Sequence, residues 1–163
     1  MADTTQAVFR EKIHLLHFLV RDVSLCAYLN DIKKILPLVA LDPLPKGPPW
    51  LAGLMKLNEK MIPVIDLAIR TGMPRDELFS LDMPVLLCEK APHEVAILVD
   101  SVQGISDFDE TGLQLQDDMK GSGSPFLGTV VNDFGSSLLV NMPYFLATQL
   151  MGDDNGYAHQ NEK

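Results

Sequence analysis

Apolar residues in this chain come in short bursts separated by turn chemistry, not in long helical stripes. Ile13 to Val20 carries apolar side chains on both faces of an extended segment, a pattern open to a central strand or a buried helix. Arg21-Asp22 reads as a turn and Leu25 to Leu29 as a returning partner, which favours strand. Asn30-Asp31 starts a short helical turn running through Ile32 and Ile35, and Leu36 to Leu41 is apolar again. Pro37 confines that run to an edge or a strand start. Leu54 to Leu57 and Met61 to Ile65 form two strands joined by Asn58-Glu59-Lys60, with Pro63 expected at an edge or bulge. Asp66 caps a short helix, Leu67 to Arg70, that stops at Gly72.

Between these bursts, Asp42 to Trp50 is rich in proline and predicts a rigid, extended connection with Trp50 packed beneath it. A proline-rich ligand for a recognition domain is the alternative reading. Met73 to Leu81 crosses between lobes. Met83 to Cys88 and Val95 to Val102 form a hairpin with a long polar tip, and Ser106 to Asp118 is an acidic loop. Its carboxylates lack the ordered spacing of a calcium-binding loop. Gly121 to Pro125 is a flexible loop without the Lys-Ser/Thr of a phosphate-binding loop. Phe126 to Val131 and Ser137 to Val140 pair around Asn132-Asp133-Phe134-Gly135. Pro143 to Met151 closes the fold as a helix. Residues 1–12 read as a loose N-terminus, 13–151 as one two-lobed domain and 152–163 as a disordered tail. Many short strands with little helix predict small β-barrels and not a β-α-β layer fold. The halves share a plan in which a strand ends in an aspartate, Asp66 and Asp100.

Composition narrows the function. In a chain of 163 residues, 47% hydrophobic content suffices for a packed core. A net charge of −9 argues against nucleic acid and anionic membrane surfaces as partners. No signal peptide or bilayer-spanning run is visible, which predicts a cytoplasmic protein without membrane insertion. Cys26 and Cys88 sit in apolar runs and read as buried free thiols, although the sequence leaves a disulfide open. His14 and His17 have ligand spacing for a helix, but on a strand they face opposite sides, so no metal is expected. Asp66 and Asp100 are the one candidate acid–base pair, as in a small hydrolase. Each also suits a cap or turn, and no nucleophile accompanies them. Neither catalysis nor a cofactor is predicted.

Trp50 to Leu67 resembles the signature of CheW-like domains, in which a glycine, an Asn-Leu-Arg-Gly turn and a Pro-Val-x-Asp-Leu strand end follow one another. Ala96-Ile97-Leu98-Val99-Asp100-Ser101-Val102 is similar to the second signature. Phe126-Leu127-Gly128 and Ser137 to Leu146 resemble the closing strands and helix. The resemblance covers roughly residues 13 to 148. It implies two intertwined, five-stranded SH3-like β-barrel lobes around a shared core, with short helices and a C-terminal helix. It also implies a non-enzymatic adaptor coupling chemoreceptor tips to the regulatory domain of a CheA-type histidine kinase. A kinase-binding module without receptor coupling, acting as a competitor or in a pilus-type system, is the alternative within the family.

On this resemblance Gly53, Leu54 and Leu57 fall to the kinase contact, and Ile32, Lys34, Asn58 and Glu59 to the receptor contact. Leu36 joins Ile32, Leu54 and Leu57 as a candidate exposed apolar position. The chain departs from the pattern at polar positions. Asn58 stands for the arginine of the family turn and Glu59 for its glycine. Lys34 stands near a commonly acidic position, and Ala96 replaces the glycine of the second signature. Core positions are kept while contact positions are altered, which retunes recognition.

Overall fold

The computed structural model describes residues 13–73, 80–90, 93–108, 113–115, 124–132 and 135–146. The strands in chain order are β1 (Ile13–Val20), β2 (Val23–Tyr28), β3 (Ile32–Pro37), β4 (Leu51–Leu57), β5 (Lys60–Asp66) and β6 (Pro84–Lys90). β7 (His93–Leu98), β8 (Ser101–Phe108), β9 (Leu113–Leu115), β10 (Phe126–Asn132) and β11 (Gly135–Val140) follow. They form two sheets, ordered β8-β1-β2-β11-β10-β9 and β3-β6-β7-β5-β4. The second sheet is the middle of the chain inserted between strands of the first, so the two lobes are intertwined as expected. One sheet has the expected five strands. The other gains a sixth, β9, of three residues.

Period-two alternation with apolar residues on both sides explains why the lobes share a core. In β6, Val85 and Leu87 face the interior of the five-stranded lobe. Leu86 and Cys88 alternate with them into a cluster shared with the other sheet. In β7, Ala96 and Leu98 belong to the lobe interior while Val95 and Ile97 join the shared cluster. From the six-stranded sheet Leu16, Phe18, Val20, Leu25, Ala27 and Val140 join the shared cluster. Leu15, Cys26, Val130 and Leu139 fill that sheet's own interior. Three clusters therefore stand where one core was expected.

Helix α1 (Leu67–Arg70) follows β5 directly, and Asp66 Oδ1 accepts a hydrogen bond from the Ala68 N–H at 3.0 Å. Gly72, with φ 89°, lies just past its end, as predicted. Residues 142–146 are helical, as expected for the start of the closing helix. Residues 147–151, expected to continue that helix, residues 1–12 and 152–163, most of the 73–81 crossing and residues 121–123 lie outside the described residues.

Several local expectations are corrected. The helical turn at Asn30-Asp31 is a 3₁₀ turn, Leu29–Asp31, and Ile32–Pro37 is edge strand β3. β-Branched Ile32 and Ile35 suit that extended form, and Pro37 takes the edge position predicted for it. The proline-rich connection is bent, not extended. The Gly47 N–H bonds to the Leu44 carbonyl at 3.1 Å, and the Leu51 N–H to the Pro48 carbonyl at 3.0 Å. Trp50 packs against the shared core.

The run Val95 to Val102 breaks at Val99-Asp100, where the chain passes from one sheet to the other. The Asp100 N–H donates to the Leu19 carbonyl at 2.9 Å, and Asp100 Oδ2 accepts from the Arg21 N–H at 2.7 Å, tying the crossing to β1 and its turn. The β6–β7 hairpin is tight and not long-tipped, since pairing extends to Lys90 and His93. Ser106 and Asp107, expected in an acidic loop, lie in strand β8. Cys26 and Cys88 are buried free thiols.

A candidate docking cleft at the mouth of the five-stranded lobe

The cleft arises where β5 fails to follow its neighbour. β5 pairs with β4 from Lys60 onward, but with β7 only from Val64 to Asp66. Pro63 sits at the join. Its partner Leu54 directs both its N–H and its carbonyl toward Asp42, at 2.8 and 2.9 Å, and so away from β5. The Leu54–Pro63 pair therefore asks for no hydrogen bond from proline, which has none to give. The order of strands makes β5 interior, yet Pro63 lies short of the second ladder, consistent with the edge-like position its chemistry requires.

Ahead of that join the sheet opens into a cleft of about 100 Å³, lined by Lys33, Lys34, Leu57, Asn58, Lys60, Leu87 and Glu94. Leu87, 1% exposed, is the floor. The Glu94 side chain is only 10% exposed and accepts from Lys60 Nζ at 3.2 Å and from Lys33 Nζ at 3.4 Å. Lys33 also lies 3.6 Å from Glu89. The Lys60 hydrogen bond holds Glu94 below its usual carboxylate pKa, and the Glu94 hydrogen bond raises that of Lys33. Among the described residues Lys34 makes no ion pair.

Of the residues assigned from sequence, the structure brings Lys34, Leu57 and Asn58 together in this cleft. Glu59 is exposed beside Asn58 in the two-residue turn between β4 and β5. Both have positive φ, 49° and 66°, as a type I′ hairpin requires. Leu54 is half-buried, whereas Ile32 packs partly against the shared core and does not line the cleft. Leu36, too, packs partly into the lobe interior.

Gly53 is buried at a β-bulge beneath the chain's own Leu41-Asp42 segment. A Cβ there would stand 2.9 Å from the Asp42 carbonyl oxygen and 2.9 Å from Leu41 Cβ, at a φ of 153°. This internal contact gives the glycine a structural reason of its own, beside the kinase contact expected of it.

Sequence reasoning missed Lys33, Lys60, Leu87 and Glu94. Glu94 lies 61 residues from Lys33 and 34 from Lys60, so only the strand pairing joins them.

The catalytic alternative loses its footing here. Asp66 is fully buried as a helix cap, and Asp100 accepts from the Arg21 amide. His14 is exposed and paired with Asp107, while His17 is buried and bonded to Ser106 and Ser137, so the two face apart as expected. Among the described residues no group of three or more His, Cys, Asp or Glu is placed to hold a metal. No helix there is long and apolar enough to cross a membrane.

Two interlocked β-lobes with a surface cleft at the mouth of one of them define the architecture. The CheW-like domain model matches residues 14–148, and the chain belongs to that family. It is 25% identical over 123 residues to a chemotaxis protein CheW of Thermotoga maritima, covering 76% of this chain and 80% of that protein. It is 24% identical over 100 residues to one of Rhizobium meliloti, covering 61% of this chain and 64% of that protein, just under two thirds of its length. The fold is similar to that of the scaffolding protein TtCheW from Thermoanaerobacter tengcongensis, with a TM-score of 0.71 and 20% identity. That match covers 80% of this chain and 90% of the other.

Proposed function

We propose that this chain is a non-enzymatic adaptor that couples the cytoplasmic tips of chemoreceptors to the regulatory domain of a CheA-type histidine kinase. It would work at the cytoplasmic face of a receptor array without entering the bilayer. Family membership supports the adaptor role. The observation that carries the reading on this molecule is the cleft, which gathers Lys34 of β3 with Leu57 and Asn58 of the β4–β5 hairpin. We assign Leu54 and Leu57 to the kinase side and Ile32, Lys34, Asn58 and Glu59 to the receptor side. Leu57 and Asn58 are adjacent, so the two contacts meet at the β4–β5 turn.

The test is reconstitution of a ternary complex from purified chain, kinase regulatory domain and a receptor signalling fragment, followed by sedimentation. The complex is expected to form. Leu54→Asp adds an uncompensated charge to a desolvating surface and is expected to weaken kinase binding by tenfold or more. Asn58→Arg with Glu59→Gly restores a guanidinium fork and is expected to strengthen the receptor contact while leaving the kinase contact unchanged. A chain that binds neither partner overturns the reading. One that binds the kinase alone makes it a competitor module.

A further inference from the structure

On a chain of net charge −9, the cleft at the lobe mouth is a basic spot. Its three lysines are not equivalent. Lys33 is engaged by Glu89 and Glu94, and Lys60 by Glu94. Lys34 is exposed, lines the same cleft and makes no ion pair among the described residues. The Asn58 side chain stands on the same cleft, fixed by a turn whose two residues both have positive φ. Leu57 and Leu87 supply apolar wall and floor.

The volume of about 100 Å³ is several times the roughly 10–15 Å³ that one water needs, so a partner side chain has room to enter. An uncompensated ammonium, a neutral amide and an apolar wall together suit one carboxylate carried on methylenes. A flat anionic membrane would meet the repulsion of the whole chain, whereas a side chain reaching into the cleft meets the lysines locally.

We infer that this cleft seats a single acidic side chain of a protein partner, its carboxylate between Lys34 and Asn58 and its methylenes on Leu57. The inference rests on the adaptor reading and assigns the chemistry of its receptor-side contact. It makes that contact one in which this chain supplies the cation and the receptor tip the anion.

The experiment uses the full chain and the receptor signalling fragment of the reconstitution above. Lys34→Glu is expected to weaken fragment binding at least tenfold and Lys34→Arg to preserve it. Raising salt should weaken the wild-type complex and leave the residual Lys34→Glu binding nearly unchanged. Replacing fragment Asp and Glu residues singly by Lys should yield one variant that restores binding to Lys34→Glu and loses it with wild type. Lys34 is exposed, so circular dichroism is expected to find these variants folded.

A ternary complex that forms equally well with Lys34→Glu overturns the cleft assignment and leaves the adaptor reading standing. Failure of the wild-type complex overturns both. Lys34-dependent co-sedimentation with phosphatidylserine vesicles, without any effect on the receptor fragment, makes the occupant a lipid headgroup and also overturns the assignment.

Discussion

Single residues in the β4–β5 hairpin illustrate how backbone conformation decides what a substitution means. Glu59 occupies left-handed backbone at φ 66°, where a side chain costs about 1–2 kcal/mol. Glycine there avoids that cost but loses about 0.5–1 kcal/mol of unfolded-chain entropy advantage. Glu59→Gly should therefore stabilise the fold by about 0.5–1 kcal/mol. A rise in the urea midpoint at constant slope is the expected result, and a fall would mean that the Glu59 side chain contributes contacts beyond the turn. Gly53→Ala should act in the opposite direction, since its new Cβ meets the Asp42 carbonyl at 2.9 Å. Backbone strain of this kind costs about 1–3 kcal/mol. A melt unchanged by Gly53→Ala would mean that Leu41-Asp42 does not hold its place over β4.

At the scale of elements, the segments around residues 50, 70 and 144 are held by one side chain. The Arg70 guanidinium carbon lies 5.3 Å from the Trp50 ring centre, 5.3 Å from that of Tyr144 and 5.7 Å from that of Phe145. Cation–π contacts contribute from about 0.5 to 2 kcal/mol, more as water is excluded. Arg70 stands half-buried at the end of α1, so it joins the proline-rich connection, that helix and helical residues 142–146. Arg70→Met keeps the aliphatic stem and removes the charge, and should cost about 1–2 kcal/mol. Trp50 is the only tryptophan, so its fluorescence reports this junction directly. Unchanged emission together with an unchanged melt would show the three segments to be held by other contacts.

Element boundaries were legible where one local rule dominated. Asp66 as cap and Gly72 as stop read correctly because both act within a few residues. Ile13 to Val20 read as β1 because a turn and an apolar partner followed. The break at Val99-Asp100 was not legible, because both strands it separates are apolar and only tertiary pairing sends them to different sheets. Val99 nonetheless stays fully buried in the shared cluster beside Ile65. Truncating either to alanine should cost about 2–4 kcal/mol through lost burial and a residual cavity. A near-zero loss in denaturant would place the residue outside the shared core. The candidate site was half legible. Lys34, Leu57 and Asn58 came from resemblance, while Glu94 reaches the cleft only because β6 and β7 pair.

For the whole molecule, the buried polar contacts predict how stability follows pH. His17 is fully buried, with Nε2 2.6 Å from Ser106 Oγ and Nδ1 3.3 Å from Ser137 Oγ, and Ser137 Oγ is 2.8 Å from Ser24 Oγ. These contacts tie β1 to β8, β11 and β2 inside the six-stranded sheet. Burial lowers the His17 pKa from its ordinary value of 6.5. The unfolded chain therefore binds this proton more readily than the folded one, and stability rises with pH through that window. Its contribution should be complete above about pH 6.5 and be lost as pH falls from there toward the lowered folded value. On the alkaline side burial pushes Cys26 and Cys88 up to about 12, from a starting value of 9.0. Their thiols ionise first in the unfolded chain, so stability should decline as pH rises past 9.0 toward about 12. Urea midpoints measured across this range should trace a plateau with a shoulder on each side. His17→Gln should flatten the acid shoulder between neutrality and the onset of carboxylate protonation, and leave the alkaline one in place. An acid shoulder that persists unchanged in His17→Gln would assign that proton to another group and remove His17 from the pH response of the fold.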